Sequence, residues 1–409
     1  MRHTRRRGAV MILAMVVLFA VTAILVSAMA TERAEFRNAV QRIDEERARL
    51  AAQSGLARAL ATLQFQIASP VTQLDEWYTL GNQSNDLFLV GRQSFRMQIV
   101  DAASLVNLNT ADEIQLQNMG LTSEQIDSLL DWREEGVTPR PEGAKDEFYN
   151  TLERPYNAKL RRMDHLDELL LIRGFEPATL FQTPEQQNTS GLTPQPIYSL
   201  STVDSFSPTT DADGQPKGNI NTIGQGQLTQ AGVPPLLAAA IIVRRNTQGT
   251  FTRMGEVLTV TGMTPDAAGI LIDQFQVGNA PRAEGQININ TAREDVLMTL
   301  PDMTTDVAQS IVSRQSAGIN ALSELFQVPG VTVANMAAII DRLTTDSEIF
   351  LVRVEGRAGS TTYTLEATVR VADSRVQVLK VSEPVNRSMT TLWGWAEETT
   401  NEIVLGEEE

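Results

Sequence analysis

From Ala9 to Ala30 the stretch AVMILAMVVLFAVTAILVSAMA carries no charged residue, and this run limits the fold before any other feature does. About 20 apolar residues at ~1.5 Å each cross a bilayer as a helix, whereas the apolar part of a cleaved signal peptide is usually about 7 to 15 long. Arg2, Arg5, Arg6 and Arg7 precede the run, so the short basic leader should stay in the cytoplasm and the remainder should cross. A rival reading uses Ala28-Met29-Ala30 as a signal-peptidase site. It is the weaker one, because the apolar run exceeds an ordinary signal core. Past the span, Phe36, Val40, Ile43, Leu50, Ala57 and Leu60 keep helical spacing among charged residues to about Ile67, which predicts one continuous helix running out of the membrane.

The net charge of -16 argues against a nucleic-acid partner, which would have to be held by local basic patches against the overall field. Cysteine is absent and the histidines are His3 and His165. Disulfides, thiolate chemistry and Cys-ligated zinc are therefore excluded, and His-based triads nearly so.

Three related segments follow: LVNLNTADEIQL, GNINTIGQGQL and GQININTAREDVL. Thr110, Thr222 and Thr291 stand three residues before Glu113, Gln225 and Glu294, the spacing of a capping box, so each segment is expected to open a helix. Arg133, Arg244 and Arg314 lie 24, 23 and 24 residues beyond Asn109, Asn221 and Asn290 and read as one equivalent position, serving a helix end or an ion pair within the unit. Glu168, Glu256 and Glu324 each stand six residues before a glycine, Gly174, Gly262 and Gly330. This predicts helix, glycine hairpin and second helix three times over, with the apolar faces buried against one another.

The N-terminus resembles type IV pilin-like proteins, in which prepilin peptidase cuts after a basic leader ending in glycine. Arg7, Gly8 and Ala9 match that site, and Leu13 takes the place of the glutamate usual at the fifth mature position. A missing glutamate narrows the resemblance to minor pseudopilin K of the type II secretion system. In other members that glutamate is thought to neutralise a neighbour's buried N-terminal amine, a pairing that a tip subunit cannot make. The stretch EGAKDEFYNTLERPYNAKLRRMDHLDELLLIRGFEP is also similar to this family, through Gly143, Ala144, Phe148, Tyr149, Pro155, Tyr156, Asn157, Glu168, Leu169, Arg173 and Gly174. Lys145 departs from it by standing where an acid is expected. No cofactor is required, but the resemblance allows calcium, since family members can hold it through carboxylates. DADG at 211–214 looks like part of a calcium loop and reads more simply as an Asp-Gly turn.

The repeats also resemble helix-hairpin-helix modules, and the alternative reading is a membrane-anchored DNA receptor of a competence or type IV pilus system. DNA-binding hairpins carry two glycines that let backbone amides approach phosphate. Here Glu176, Thr264 and Thr332 occupy the second place, and Lys145, Lys159, Lys217 and Lys380 are the only lysines. No nucleic acid is expected.

Period-two apolar patterning before and after the repeats, in SFRMQIV, EIFLVRVEG, TTYTLEATVRVA and RVQVLKV, predicts antiparallel strands. The fold class expected is α+β: a long N-terminal transmembrane and amphipathic helix packed on a small antiparallel pilin-like sheet, with a large inserted all-α domain of helix-hairpin-helix-like repeats. The expected divisions are a leader (1–8), an anchor and spine helix (9–67), strands (68–105), the insertion (106–346), further strands (347–384) and an acidic tail (385–409). Within the insertion the repeats span 106–181, 218–278 and 285–345, and 182–217 is a flexible or surface linker. The resemblance implies a methylated, single-pass inner-membrane protein with a periplasmic head. It implies no enzyme, but a subunit that initiates and caps the pseudopilus with minor pseudopilins I and J. The major pseudopilin, prepilin peptidase and the inner-membrane assembly platform are the other partners implied.

Overall fold

The structure is a computed structural model and describes residues 4–66, 69–81, 85–183, 195–372, 375–385 and 389–395. Helix α1 (Thr4–Gln66) is unbroken, in keeping with an interior free of proline. Every residue from 10 to 43 is exposed, and the helix is long and apolar enough to cross a membrane by length and composition. Its second half changes character. Ala48, Ala51, Ala52, Ala59 and Leu63 are fully or nearly fully buried at helical spacing, and small side chains on one stripe let a helix lie close against a sheet.

That sheet has five antiparallel strands in the order β1 (Phe88–Val90), β2 (Gln93–Asp101), β3 (Ile349–Ala358), β4 (Thr361–Ala372) and β5 (Arg375–Ser382). Strands β2 and β3 are neighbours in register Met97 to Val354 although some 250 residues separate them. Residues 102–348 are therefore one excursion from the sheet. Alternation decides the faces. Phe95, Met97, Ile99, Phe350, Val352, Val354, Leu365, Ala367 and Val369 turn toward α1 and pack with Trp77. At Gly356 the approach is closest: a Cβ there would lie 2.0 Å from the carbonyl oxygen of Ala48.

The opposite face carries Arg96, Gln98, Arg353, Glu355 and Glu366, and charged side chains so placed need partners. Arg353 Nε donates to Glu366 at 2.8 Å, and Arg96 pairs with Glu355 at 3.2 Å. Above them lie two C-terminal indoles, with Trp393 5.1 Å from Arg353 and Trp395 4.7 Å from Arg96. The expectation of a mere acidic tail from residue 385 is thus corrected for 389–395, where Trp393 and Trp395 are buried. Residues 396–409 lie outside the described residues.

The linker expectation for 182–217 needs a similar correction. Residues 184–194 lie outside the described residues, but Ile197, Tyr198, Leu200 and Val203 are buried, and Phe206–Pro208 pairs antiparallel with Arg282–Glu284. Apolar side chains every two or three residues gave this stretch something to bury, which its Ser, Thr and Pro content concealed.

Candidate functional site: three clamped units and the N-terminal helix

Each of the three segments starts as a two-residue strand pairing in parallel with a later one: Val106–Asn107 with Ser201–Thr202, Gly218–Asn219 with Phe275–Gln276, and Ile287–Asn288 with Leu343–Thr344. So short a ladder needs reinforcement, and the paired asparagines supply it. The first asparagine of each pair accepts a hydrogen bond from the backbone N–H of the second at 2.9, 2.9 and 3.0 Å. The second asparagine then grips a distant backbone residue from both sides. Asn109 accepts from the N–H of Met163 at 2.7 Å and donates to its carbonyl at 3.0 Å. Asn221 does the same to Phe251 at 2.9 and 2.9 Å, and Asn290 to Ile319 at 2.7 and 2.9 Å. A carboxamide carries one acceptor and one donor group side by side, as a peptide edge does. Aspartate cannot donate and leucine can do neither, which explains this residue type at this place in all three.

The clamped residue stands five before the repeated glutamate, and the glutamate closes the same turn. Glu168, Glu256 and Glu324 accept from the N–H groups of Asp164 (2.7 Å), Thr252 (3.2 Å) and Asn320 (3.1 Å). Burial pushes the Glu168 carboxyl up, but hydrogen bonds from the Lys159 ammonium, the Asp164 amide and the Trp132 indole outweigh it and hold the group below its ordinary value. A depressed carboxyl contributes stability that is fully present above its unfolded value and disappears as pH falls through the folded one. Glu168→Gln is expected to lower the stability of the full chain by about 2 kcal/mol at neutral pH. The gap from wild type should stay constant down to about pH 5 and close below about pH 4. Urea unfolding in detergent at stepped pH checks this, and a gap that widens on acidification would contradict it.

Two readings from the repeats are corrected. Thr110 and Thr222 are not helix caps: their hydroxyls donate to the carbonyls of Asn107 and Asn219, and Thr291 donates to Asp101 at 2.6 Å. The first helix is capped by Asp112, which accepts from Gln115 N–H at 2.9 Å. Nor are Arg133, Arg244 and Arg314 equivalent. Three longer helices carry these residues: α2 (Ser123–Arg133), α3 (Pro235–Gln248) and α4 (Thr305–Gln315). Arg133 reaches back to the carbonyls of Leu108 and Ala111, and its counterparts in that task are Arg245, on Ile220 and Ile223, and Gln315, on Ile289 and Ala292. Trp132, Arg244 and Arg314, one residue earlier, meet the repeated glutamate instead. The third unit has one extra residue before this pair, and a constant offset to arginine concealed it.

Gly174, Gly262 and Gly330 sit in tight turns with φ of +83, +91 and +88°, each followed by an N–H bond back three residues. A second glycine turn, Gly120 and Gly232, becomes Asp302 in the third unit, held at φ +55°. Leu13 lies on the exposed apolar half of α1. Arg7, Gly8 and Ala9 fall within the helical backbone of α1, and their side chains lie outside the described residues.

The third unit is tied to the sheet through Asp101, at the end of β2. Its buried carboxylate accepts from Ala103 N–H (2.8 Å), Asn288 Nδ2 (2.9 Å) and Thr291 Oγ1 (2.6 Å).

Calcium fits neither place considered for it. The Asp211 carboxylate accepts from the amides of Asp213 and Gln215 at 3.0 and 2.8 Å and so closes its own turn. Near Lys145 an ammonium already occupies the oxygens that would face a metal. Among the described residues no group of three or more His, Asp or Glu is arranged to hold one.

Residues 108–183, which contain the first clamp, its glutamate and its glycine turn, match the family model described as type II secretion system (T2SS), protein K. No curated protein matches. Among solved structures the chain is similar to one in the crystal structure of the GspK-GspI-GspJ complex from the enterotoxigenic Escherichia coli type 2 secretion system. The two are 13% identical with a TM-score of 0.46, covering 87% of this chain and 100% of that one. Residues 108–183 are thus similar to protein K of the type II secretion system, on a chain whose helix α1 is long and apolar enough to cross a membrane.

Proposed function

We propose that the protein initiates and caps the type II secretion pseudopilus from its tip, helping to export proteins across the outer membrane. The observation that carries this reading is the division of α1: residues 10–43 are exposed and largely apolar, while the rest of the helix is built into the head. Residues 10–30 would stand in the inner membrane, single-pass, with the head in the periplasm. The exposed Phe36, Val40 and Ile43 would offer a lateral face to the spine helices of other subunits. The three clamped units act as helix-hairpin-helix-like repeats that broaden the head beyond what could stack along a fibre, which favours an end position. Minor pseudopilins I and J and the major pseudopilin would be its filament partners. Prepilin peptidase and the inner-membrane assembly platform would process and assemble it. Its role is structural rather than enzymatic, and no nucleic acid takes part.

Cleavage between Gly8 and Ala9 is the first expected outcome, read by N-terminal sequencing of protein purified from membranes. A mature chain starting at Thr31 would overturn the pilin-like processing. Immunogold label on the head should then fall at filament ends, and label spread along the shaft would refute the tip position. Leu13→Glu should not increase incorporation along the shaft, because a tip subunit has no amine above it to pair with the new carboxylate.

A further inference from the structure

Just after α2 the chain makes a long turn from Glu134 to Lys145. Asp131 is almost fully buried beneath it and accepts from the backbone N–H of Arg140 at 3.0 Å and from its guanidinium at 2.9 Å. Arg140 also pairs with Glu134 at 2.6 Å, and Asp127 accepts from Glu142 N–H at 3.0 Å. Gly143 packs so closely that a Cβ there would lie 2.0 Å from Asp131 Oδ2. At the centre is Lys145, only 5% exposed, whose Nζ donates to the carbonyl oxygens of Asp131 at 2.5 Å and Glu134 at 2.8 Å.

We propose that Lys145 is a built-in cation that orders the 134–145 turn, so that the turn needs no divalent metal. A hard divalent cation takes about six to eight oxygens at ~2.3–2.6 Å. Here the carboxylates of Asp127, Asp131 and Glu134 are each engaged by a donor of the chain, and the two carbonyls that converge on one point converge on an ammonium. Its positive charge sits at the C-terminal end of α2, where orphan carbonyls and the helix dipole favour a cation. Burial pulls the Lys145 ammonium down from its ordinary pKa, and the nearby Asp131 carboxylate opposes that pull. An ammonium on a covalent tether is always present at full occupancy, whereas a metal is held only above its dissociation constant. The consequence is a turn indifferent to chelators. This inference is independent of the filament-tip reading, and either can fail without the other.

Limited proteolysis of the full-length protein in detergent tests it, using a glutamate-specific protease and following cleavage at Glu134 and Glu135 in excess EDTA or in millimolar calcium. Wild type should be cut at the same slow rate in both. Lys145→Met keeps the apolar stem and removes the charge, and it should be cut about a hundredfold faster in both, the loss expected for two hydrogen bonds from a charged donor. A wild-type turn that opens in EDTA and is protected again by calcium would overturn the proposal without recourse to any variant. So would a Lys145→Met protein that is cut at the wild-type rate.

Discussion

Asn290→Ala is expected to destabilise the chain by about 3 to 5 kcal/mol, because it removes both hydrogen bonds to Ile319 and strands that residue's N–H and carbonyl without water. Asn290 is fully buried, as is Asn288, whose side-chain oxygen accepts from its N–H. Desolvation sets the size of the effect. Asn221, half-buried, makes the same pair of bonds to Phe251, but there water can take over part of the lost pairing. Asn221→Ala should therefore cost about 1 to 2 kcal/mol. Urea unfolding of the two variants in detergent gives both numbers, and equal losses would show that burial is not what makes the clamp strong. Asn290→Asp should be no milder than alanine, since a carboxylate would face the Ile319 carbonyl across about 3 Å.

The second large effect is expected at Gly356. A methyl group there meets backbone atoms of α1, with Ala48 O at 2.0 Å and Ala52 N at 2.4 Å. Neither can rotate away, so Gly356→Ala must lift the helix from the sheet and loosen the contacts of Ala51, Ala52 and Ala59. Overpacking usually costs about 1 to 3 kcal/mol, and a clash with backbone belongs at or above the top of that range. Gly55→Ala is the informative control. Its Cβ would meet Val354 Cγ1 at 2.5 Å and Phe95 Cδ2 at 2.8 Å, which are side-chain atoms that can shift. A smaller loss of stability is expected there, and the reverse order would mean that α1 is not held where Gly356 faces it. A detached α1 would also free the exposed apolar segment from the head.

Local chemistry explains what was readable in advance. Charge-free length announced α1, because a bilayer tolerates so few polar groups. Period-two alternation announced β2 to β5, because one face of the sheet had to meet α1 and the other had to stay polar. Recurring Asn, Glu and Gly announced three similar units, since each answers a backbone demand that returns whenever the turn returns. Partner choice was not readable in the same way. Thr110 and Glu113 have capping-box spacing, yet cap geometry depends on dihedral angles that neighbouring strands impose, and the hydroxyl went to Asn107 instead.

By itself the sequence determined the apolar helix, the strand faces and the existence of three units, all of which follow from periodicity or from a residue type with one suitable conformation. Only the tertiary structure decided that Asn109, Asn221 and Asn290 clamp Met163, Phe251 and Ile319, that Arg133 answers to Arg245 and Gln315, and that Trp393 and Trp395 close over Arg353 and Arg96. Those pairings join residues about 20 to 300 positions apart. A side chain's donors and acceptors state what it needs, but the partner that satisfies the need is whichever group the packed core brings within about 3 Å.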